Sequence, residues 1–457
     1  MCKNNVLYDV FLSWTIKGYE ENTLDEILNW IKDKNKTIEV NITKTELNND
    51  SFWFYDDNIG IIRNKNNSFF YISGIERKYE KNIYQQPIIV QNEIGFLGVI
   101  CKKINGVLHF LMQAKIEPGN VNKVQISPTI QATKSNFTQK HGGKKPAYLE
   151  YFLNVKANNI IVDQIQSEQS SRFYKKRNRN MVVFVKDDIQ VLDSHKWMTL
   201  NQIKRLMRYD NIVNMDTRTV ISCIPFSEMT VVNGEVNNIR LNRMLLNSIF
   251  NNDENILPII FNKINNYKMF AEDNVNLIRL DKLNDWVMNN KGINCKNNSS
   301  FKVIFCDISI EGREVKNWIQ PLFEAIGQAI FGLLITYRNN KIEFLVKMSS
   351  EIGCFDRVEL GPTVQKEASD NTIDDEIEML FFNKLNNSGD IWFDTILSEE
   401  GGRFYHEENR NVIIWVDEKE INELPDNYIW VDYKHICKMI QFNNVVNIQL
   451  RNLISVL

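Results

Sequence analysis

Residues 167–180 read SEQSSRFYKKRNRN, and residues 398–411 read SEEGGRFYHEENRN. Eight of these fourteen positions are identical. Farther along the chain, Trp197 to Ser222 aligns without a gap on Trp430 to Ser455. An internal match of this length indicates a duplicated unit, and a duplication decides the architecture before any single motif is interpreted. The sequence therefore predicts two repeats that share one fold.

The match between the two halves continues upstream of these stretches. The matched pairs are Gln86 with Gln320, Gly98 with Gly332, Lys115 with Lys347, and residues 128–131 with residues 362–365. Alternating apolar stretches flank Asn105-Gly106 and Asn339-Asn340, which is typical of β-hairpins. Helical spacing of apolar residues follows at 200–207 and 433–440. We therefore expect an α+β fold in each half.

Three segments are predicted along the chain. Residues 1–224 form the first repeat with an N-terminal helical extension, in which Thr23-Leu24-Asp25-Glu26 is a capping box for a helix through Ile31. Residues 225–290 form a helical connector, because helical patterns occur at 241–250, 257–269 and 280–288. Residues 291–457 form the second repeat.

Composition narrows the class of protein. Of 457 residues, 43% are hydrophobic and 24% are charged, which is ordinary for a globular chain and excludes wholesale disorder. A formal net charge of −3 provides no general attraction for nucleic acid. Seven cysteines without a CxxC pair favour neither a disulfide framework nor a zinc site. No apolar run is long enough for a signal or a membrane span, so we expect a cytoplasmic protein.

Two polar stretches in the first repeat are candidates for a site. Strand alternation would place Gln113, Lys115 and Glu117 on one face, opposite a second polar face that contains Gln125, Thr129 and Gln131. Two such faces would line a pocket, although a solvated sheet face is the alternative interpretation. Residues 174–180 contain four cations and two amides, which suits a diphosphate, although a charged surface turn is equally ordinary. His141 lies beside Gly142-Gly143 and is a weaker candidate, since no catalytic partner is evident.

These residues resemble the NDP-hexose 2,3-dehydratases of deoxysugar biosynthesis. The similar runs are residues 108–122, 125–136, 148–152, 166–169, 176–183 and 210–222. The resemblance covers nearly the whole chain, including the duplication. It implies two Nudix-hydrolase-like domains, a homodimer and a ligand pocket in each repeat. The glutamate cluster of the Nudix motif is not found in the sequence, so metal-dependent pyrophosphate hydrolysis is not expected.

The resemblance also implies a reaction. An NDP-4-keto-6-deoxyhexose, with dTDP the expected carrier, would lose its C3 proton and its C2 hydroxyl and become a 3,4-diketo-2,6-dideoxy sugar. The C4 ketone acidifies the C3 proton, so the reaction needs a base, an enolate stabiliser and an acid, and we expect no metal and no cofactor. An NADPH-dependent 3-ketoreductase is the expected next enzyme. A noncatalytic nucleotide-sugar-binding protein and a Nudix-type hydrolase are the alternatives.

Roles are assigned as hypotheses. Glu117 is the candidate base, Lys115 the enolate stabiliser, and His141 or Tyr148 the group that assists the leaving hydroxyl. The candidate substrate-binding residues are Gln113, Asn120, Gln125, Thr129, Gln131, Tyr174, Arg177, Arg179 and Asn180. The candidate second pocket contains Lys347, Thr363, Gln365, Arg403 and Arg410. Ser349 stands near the position of Glu117 there, with Glu351 beyond it, so this pocket could bind without reacting.

Overall fold

The computed structural model describes residues 3–48, 51–134, 145–229, 241–251, 255–312, 315–387 and 390–457. His141 lies outside these described residues. The elements of the first half are α1 (Lys3–Thr15), α2 (Leu24–Thr37), β1 (Val40–Thr45), β2 (Trp53–Asp56), β3 (Ile61–Asn64), β4 (Tyr71–Tyr79), β5 (Asn82–Val90), β6 (Gly95–Ile104), β7 (Val107–Ile116), β8 (Val124–Ser127), β9 (Ile130–Ala132), α3 (Glu150–Leu153), β10 (Ile160–Ser167), β11 (Arg177–Phe184), β12 (His195–Thr199), α4 (Leu200–Leu206) and α5 (Met215–Ser222).

The second half contains a matching series. Its elements are α6 (Arg243–Ile249), α7 (Leu257–Phe270), β13 (Asn274–Ile278), β14 (Trp286–Asn289), β15 (Gly292–Cys295), β16 (Phe301–Ile310), β17 (Asn317–Ala325), β18 (Ile330–Arg338), β19 (Lys341–Ser349), β20 (Glu359–Gly361), β21 (Val364–Lys366), α8 (Glu376–Asn386), β22 (Ile391–Ser398), β23 (Phe404–Tyr405), β24 (Glu408–Trp415), β25 (Tyr428–Asp432), α9 (Tyr433–Ile440) and α10 (Ile448–Ser455).

Two seven-stranded sheets have the same strand order. In the first half the order is β10-β11-β6-β7-β12, with β8 paired to β7 and β9 to β6. In the second half it is β22-β24-β18-β19-β25, with β20 paired to β19 and β21 to β18. The pair β11–β6 and its counterpart β24–β18 are parallel, whereas the other pairs in these sheets are antiparallel. The predicted α+β duplication is therefore present in the fold.

The two halves exchange strands with each other. Strand β1 pairs antiparallel with β16 of the second half, and β13 pairs antiparallel with β4 of the first half. Each half therefore completes a sheet of the other half. Such reciprocal contacts are the pattern expected when two copies of one unit meet about a twofold axis.

The segment 225–290 contains more than the predicted connector. Its helices α6 and α7 and strand β13 occur in the order of α1, α2 and β1 at the start of the chain. The predicted helix at 280–288 is wrong. A short 3₁₀ turn, Leu280–Lys282, is followed by β14, because Trp286 is buried and Val287 exposed in strand alternation against β15.

Local expectations hold at several positions. Thr23 and Glu26 form the capping box of α2, although this helix continues to Thr37 rather than ending at Ile31. Asn105 and Gly106 both have positive φ, 50° and 83°, in the hairpin turn between β6 and β7. The polar strand expected over 125–131 is divided into β8 and β9 at residues 128–129, since Pro128 has no N–H to donate to a ladder.

Buried arginines join the halves. The Arg218 Nη2 atom donates to the Ser398 carbonyl at 2.6 Å, and the Arg451 Nη2 atom donates to the Ser167 carbonyl at 2.6 Å. Both side chains lie almost completely out of water. A shared hydrophobic core packs around them and includes residues of both halves. The halves therefore form one continuous body, and loops from each can face the other across a fixed gap.

The longest helices described, α2 and α7, have 14 residues each. No helix within the described ranges has the length and apolarity that a membrane span requires.

Candidate active site

A cavity of about 650 Å³ lies where the two halves meet. Its polar residues from the first half are Gln91, Lys115, Glu117, Gln131, Thr133, Glu168, Lys176, Asn178 and Asp216. Its polar residues from the second half are Asn317, Trp318, Gln320, Glu400 and Arg403. This volume is in the range of ordinary small-molecule sites, so the cavity is the candidate active site.

Three carboxyl groups meet in the cavity. Glu117 follows the end of β7, Asp216 lies in the first turn of α5, and Glu400 belongs to the loop between β22 and β23. One oxygen of each lies within 4.8 Å of an oxygen of the other two. Neighbouring carboxyl groups at such distances do not all ionise readily, because like charges repel. The arrangement can therefore accept one proton and deliver another.

One cation and one amide contact this cluster at Glu117. The Lys115 Nζ atom lies 3.0 Å from Glu117 Oε1, and the Gln131 Nε2 atom donates to the same oxygen at 3.1 Å. A carboxyl cluster is also a donor set for a divalent cation. Here, however, the Lys115 ammonium already supplies positive charge to the Glu117 carboxylate. We therefore interpret the cluster as a proton-transferring group rather than a metal site.

Burial shifts the pKa values of the remaining carboxyl groups. Burial, and then the nearby Glu117, raise the pKa of Glu400 to about 7. Burial, and then Glu400, raise the pKa of Asp216 well above its usual range. On the adjoining wall, burial raises the pKa of Glu168 to about 7 and lowers that of Lys176 to about 8. Several groups of the cavity are therefore poised to exchange protons near neutral pH.

One wall of the cavity is aromatic and carries a buried cation. The Arg403 guanidinium lies over the Phe70 ring, 4.2 Å from its centroid, and an Arg403 N–H reaches the Gln91 side chain at 3.5 Å. Among the described residues no carboxylate lies within ion-pair distance of Arg403. The other aromatic residues of this region are Phe52, Trp53, Phe69 and Trp318. Another Arg403 N–H donates to the Gly402 carbonyl at 2.8 Å. Flat rings beside a guanidinium that has no carboxylate partner among the described residues suit a nucleobase and a phosphate.

The loops that carry the cluster are bonded to each other. The Gly119 N–H donates to the Gly401 carbonyl at 2.7 Å, and the His406 N–H donates to the Gly119 carbonyl at 2.8 Å. A Cβ on Gly119 would lie 1.5 Å from the Phe404 carbonyl oxygen, so only glycine fits there. This contact fixes the distance between Glu117 and Glu400.

Three sequence-predicted residues, Glu117, Lys115 and Gln131, are brought together in the cavity. Tyr148 is not: its hydroxyl donates to the Gln190 carbonyl at 3.0 Å and accepts from the Leu192 N–H at 2.9 Å. No structural statement is possible for His141, which lies outside the described residues.

The other predicted substrate-binding residues do not line the cavity. The Thr129 hydroxyl donates to the Leu111 carbonyl and accepts from the Ile100 N–H. The Gln125 side chain is hydrogen-bonded to the side chains of Asn122 and Ser398. The side-chain amides of Asn120 and Asn180 donate to the carbonyls of Lys123 and Asn178. Arg179 forms an ion pair with Asp163 at 2.6 Å, and Arg177 lies over the Phe355 ring. Gln113 is in the ladder between β7 and β8, and Tyr174 bonds through its backbone to Ile89.

The second half holds a smaller version of the cluster. Gln365 donates to Glu351 at 2.7 Å, as Gln131 does to Glu117, so Glu351 is the counterpart of Glu117. Strand register therefore corrects the sequence pairing of Lys347 with Lys115. Lys347 pairs with Gly361 as Gln113 pairs with Ser127, which leaves Ser349 as the counterpart of Lys115.

The remaining residues assigned to the second pocket are dispersed. Lys347 contacts Glu378 at 3.0 Å, Thr363 bonds to the Leu345 carbonyl, and Arg410 contacts Asp394 at 2.7 Å. The sequence predicts Arg403 in the second pocket, whereas the structure places it in the cavity that Glu117 also lines. The exchange of strands and loops between the halves explains this difference.

Sequence reasoning missed Asp216 and Glu400. Their counterparts in the repeat are Gln449 and Gln169, so in both cases a carboxyl stands against an amide. That difference between the repeats was readable in the alignment, but nothing in the sequence connected either position with Glu117.

Comparisons with known proteins converge on one family. A sequence model of the NDP-hexose 2,3-dehydratase family matches residues 24–224 and 260–457. The chain is 36% identical over 416 residues to the dTDP-4-dehydro-6-deoxy-alpha-D-glucopyranose 2,3-dehydratase of Saccharopolyspora spinosa, covering 89% of this chain and 85% of that protein. Proteins of the same name from Streptomyces violaceoruber and Amycolatopsis orientalis are 32% and 31% identical, covering 93% and 96% of this chain and 95% and 91% of theirs.

Proposed function

The chain belongs to the NDP-hexose 2,3-dehydratase family, hydro-lyases that act on sugar nucleotides, and we propose that its cavity dehydrates dTDP-4-keto-6-deoxy-D-glucose across C2 and C3. The names of the relatives support this substrate. The observation that carries the proposal is the group of Glu117, Asp216 and Glu400 in one cavity beside Lys115.

The reaction follows from the C4 ketone. A base removes the C3 proton, the electron pair is delocalised onto the C4 oxygen, and the C2–O bond then breaks. The hydroxyl leaves as water once it has received a proton. The remaining C2–C3 enol takes a proton at C2 and becomes the 3,4-diketone, so the net change is loss of one water. No change of oxidation state at the protein is required.

Glu117 is the base in this proposal. Lys115 and Gln131 both contact its Oε1 atom, and these contacts orient the carboxylate. The Lys115 ammonium therefore lies directly beside that base, at 3.0 Å. It can therefore stabilise negative charge on the C4 oxygen as the C3 proton leaves, which is the electrostatic part of catalysis.

Arg403 replaces the sequence-predicted arginines as the diphosphate ligand. Arg179 is committed to Asp163, whereas Arg403 is buried in the cavity without a carboxylate partner among the described residues. The Trp318 ring, which also lines the cavity, provides a surface for the thymine base. The nucleotide would therefore lie against the aromatic wall with its sugar directed to the carboxyl cluster.

The first experiment incubates the protein with dTDP-4-keto-6-deoxy-D-glucose in D₂O containing EDTA. A 3-ketoreductase with NADPH traps the product, and mass spectrometry follows it. A 2,6-dideoxy product with deuterium at C2 is expected. Recovery of unchanged substrate, despite tight binding of dTDP, would exclude this substrate and direct the search to another sugar nucleotide.

Several expectations from the sequence and from the resemblance stay predictions. They are the Nudix-like fold of each repeat, a homodimer, a cytoplasmic location and a downstream NADPH-dependent 3-ketoreductase. Sedimentation of the purified protein tests the homodimer directly.

A further inference from the structure

The proposed reaction needs a proton donor for the C2 hydroxyl, and the roles assigned to Glu117 and Lys115 do not include it. Tyr148, one of the two sequence candidates, has its hydroxyl engaged by the Gln190 carbonyl and the Leu192 N–H. It does not line the cavity. The donor must reach the sugar beside Glu117, so it is sought among the other groups of the carboxyl cluster.

Glu400 has the position that this role requires. It comes from the second half of the chain, and its Oε1 atom accepts the Gly402 N–H at 2.9 Å. The Gly402 carbonyl is in turn held by the Gln320 side chain at 2.7 Å. Asp216 is almost fully buried, whereas Glu400 is partly exposed to the cavity. Glu400 is therefore the carboxyl that a ligand can touch opposite Glu117.

The stereochemistry of the sugar favours neighbouring groups. In a D-gluco ring the C3 hydrogen and the C2 hydroxyl lie on the same face. A base and an acid that serve them must therefore approach from one side of the ring. Carboxyl oxygens within 4.8 Å of each other meet this condition, whereas an elimination from opposite faces would need groups on opposite walls of the site.

We propose that Glu400, contributed by the second repeat, is the general acid that protonates the departing C2 hydroxyl in a same-face elimination. The inference rests on the proposed function. The Glu117 carboxylate takes the C3 proton, the C2–C3 double bond forms, and the Glu400 proton leaves with the hydroxyl as water. Glu117 ends protonated and Glu400 ionised, and proton exchange within the cluster or with solvent restores both groups.

The surroundings of Glu400 support this role. Burial, followed by the charges of Glu117 and Glu168, raises its pKa to about 7 against the opposing effects of Arg403 and Lys115. A substantial fraction of Glu400 is therefore protonated at neutral pH. Asp216 is a further neighbour in the cluster.

The second repeat offers an internal comparison. Beside Glu351, the counterparts of Glu400 and Asp216 are Gln169 and Gln449, and Gln449 donates to Glu351 at 3.4 Å. An amide cannot serve as a general acid near neutral pH. In that half the positions of Glu400 and Asp216 are therefore amides, and we expect it to be unreactive.

The test separates proton removal from water loss. Glu400→Gln is incubated with dTDP-4-keto-6-deoxy-D-glucose in D₂O, and NMR follows loss of the C3 hydrogen signal while mass spectrometry follows elimination. We expect C3 exchange within about threefold of wild type and elimination slowed by about 100-fold or more, the usual contribution of a general acid. Glu351→Gln is the matched control and should retain both rates.

Other outcomes are equally informative. Wild-type elimination in Glu400→Gln, or loss of both exchange and elimination with dTDP binding intact, would overturn the assignment of the acid. If Glu400→Gln does not bind dTDP, Glu400→Asp replaces it, and an unchanged pH profile of elimination in that variant would also overturn the assignment. Failure of the proposed function is distinct, because the wild-type protein would then neither exchange C3 hydrogen nor release water.

Discussion

The Glu367 carboxylate lies 2.8 Å from the Nη2 atom of Arg172. The counterpart of Arg172 in the other repeat is Arg403, which lines the cavity. Thr133 occupies the equivalent of the Glu367 position. One repeat therefore satisfies its buried arginine with an internal carboxylate, and the other leaves its arginine open to a ligand. This difference predicts one nucleotide site per chain.

Replacing Glu367 by threonine should create a second nucleotide site. The change removes the ion pair between Arg172 and Glu367. Arg172 is almost fully buried and lies over the Phe301 ring, 4.2 Å from its centroid, as Arg403 lies over Phe70. Titration calorimetry with dTDP should show one site in the wild type and two in Glu367→Thr. The reverse change, Thr133→Glu, should abolish dTDP binding. Two sites in the wild type would contradict the prediction.

Glu117→Gln should slow C3 exchange and elimination together. The amide keeps the shape of the side chain but cannot accept the C3 proton, so a loss of roughly 10²- to 10⁴-fold is expected. Deuterium exchange by NMR measures it. Glu351→Gln, the equivalent change in the other repeat, should retain wild-type rates, and equal losses in both variants would refute the assignment of the base to the first cavity.

Arg403→Ala should weaken dTDP binding. A charged hydrogen bond is worth about 1.5–3 kcal/mol, which corresponds to roughly 10- to 150-fold in the dissociation constant. Arg179→Ala is the control, since its guanidinium is paired with Asp163 outside the cavity. If Arg179→Ala weakened binding and Arg403→Ala did not, the diphosphate would lie on β11 as the sequence alone suggested.

Elimination by the wild-type protein should slow as the pH rises through about 7. The acid must be protonated when the hydroxyl leaves, and the pKa of Glu400 is raised to about 7 by burial and by Glu117. Above that pH the protonated fraction falls about tenfold per pH unit. The pH dependence of the single-turnover rate constant for elimination tests this expectation. A flat profile from pH 6 to 9 would be inconsistent with Glu400 as the donor.

Gly119→Ala should separate the two loops of the site. The new methyl group would lie 1.5 Å from the Phe404 carbonyl oxygen, which cannot move without breaking the bonds between the halves. Overpacking of this kind costs about 1–3 kcal/mol of unfolding free energy. Urea unfolding measures that loss, and turnover should fall as well.

Much of the fold could be predicted because its determinants are local. The capping box of Thr23 and Glu26 and the Asn105-Gly106 turn depend on neighbouring residues, and both appear in the structure. The helix expected at 280–288 is wrong because another local signal competes with it. Strand β14 pairs with β15 across the two residues Asn290 and Lys291, and this hairpin overrides a weak helical pattern.

The site was only partly predictable. Lys115 lies in β7, Glu117 directly follows that strand and Gln131 lies in β9, and all three are close in sequence, so strand alternation was enough to group them. Arg403 and Glu400 belong to the other repeat, and no spacing within the chain reports a contact between repeats. The pairing of Lys115 with Lys347 failed because its offset of 232 residues departs from the offset of 234 that relates Gly98 to Gly332 and Gln131 to Gln365.

By itself the sequence determined that the chain is duplicated, that each half is α+β, and that Glu117 lies in the decisive polar block. Identity between residues 167–180 and 398–411 and local periodicity are properties of the chain alone. The tertiary structure decided that the cavity lies between the halves and that Glu400 and Arg403 complete it. The physical reason is the exchange of β1 and β13, together with the Gly119–Gly401 hydrogen bond, which sets loops from distant parts of the chain face to face.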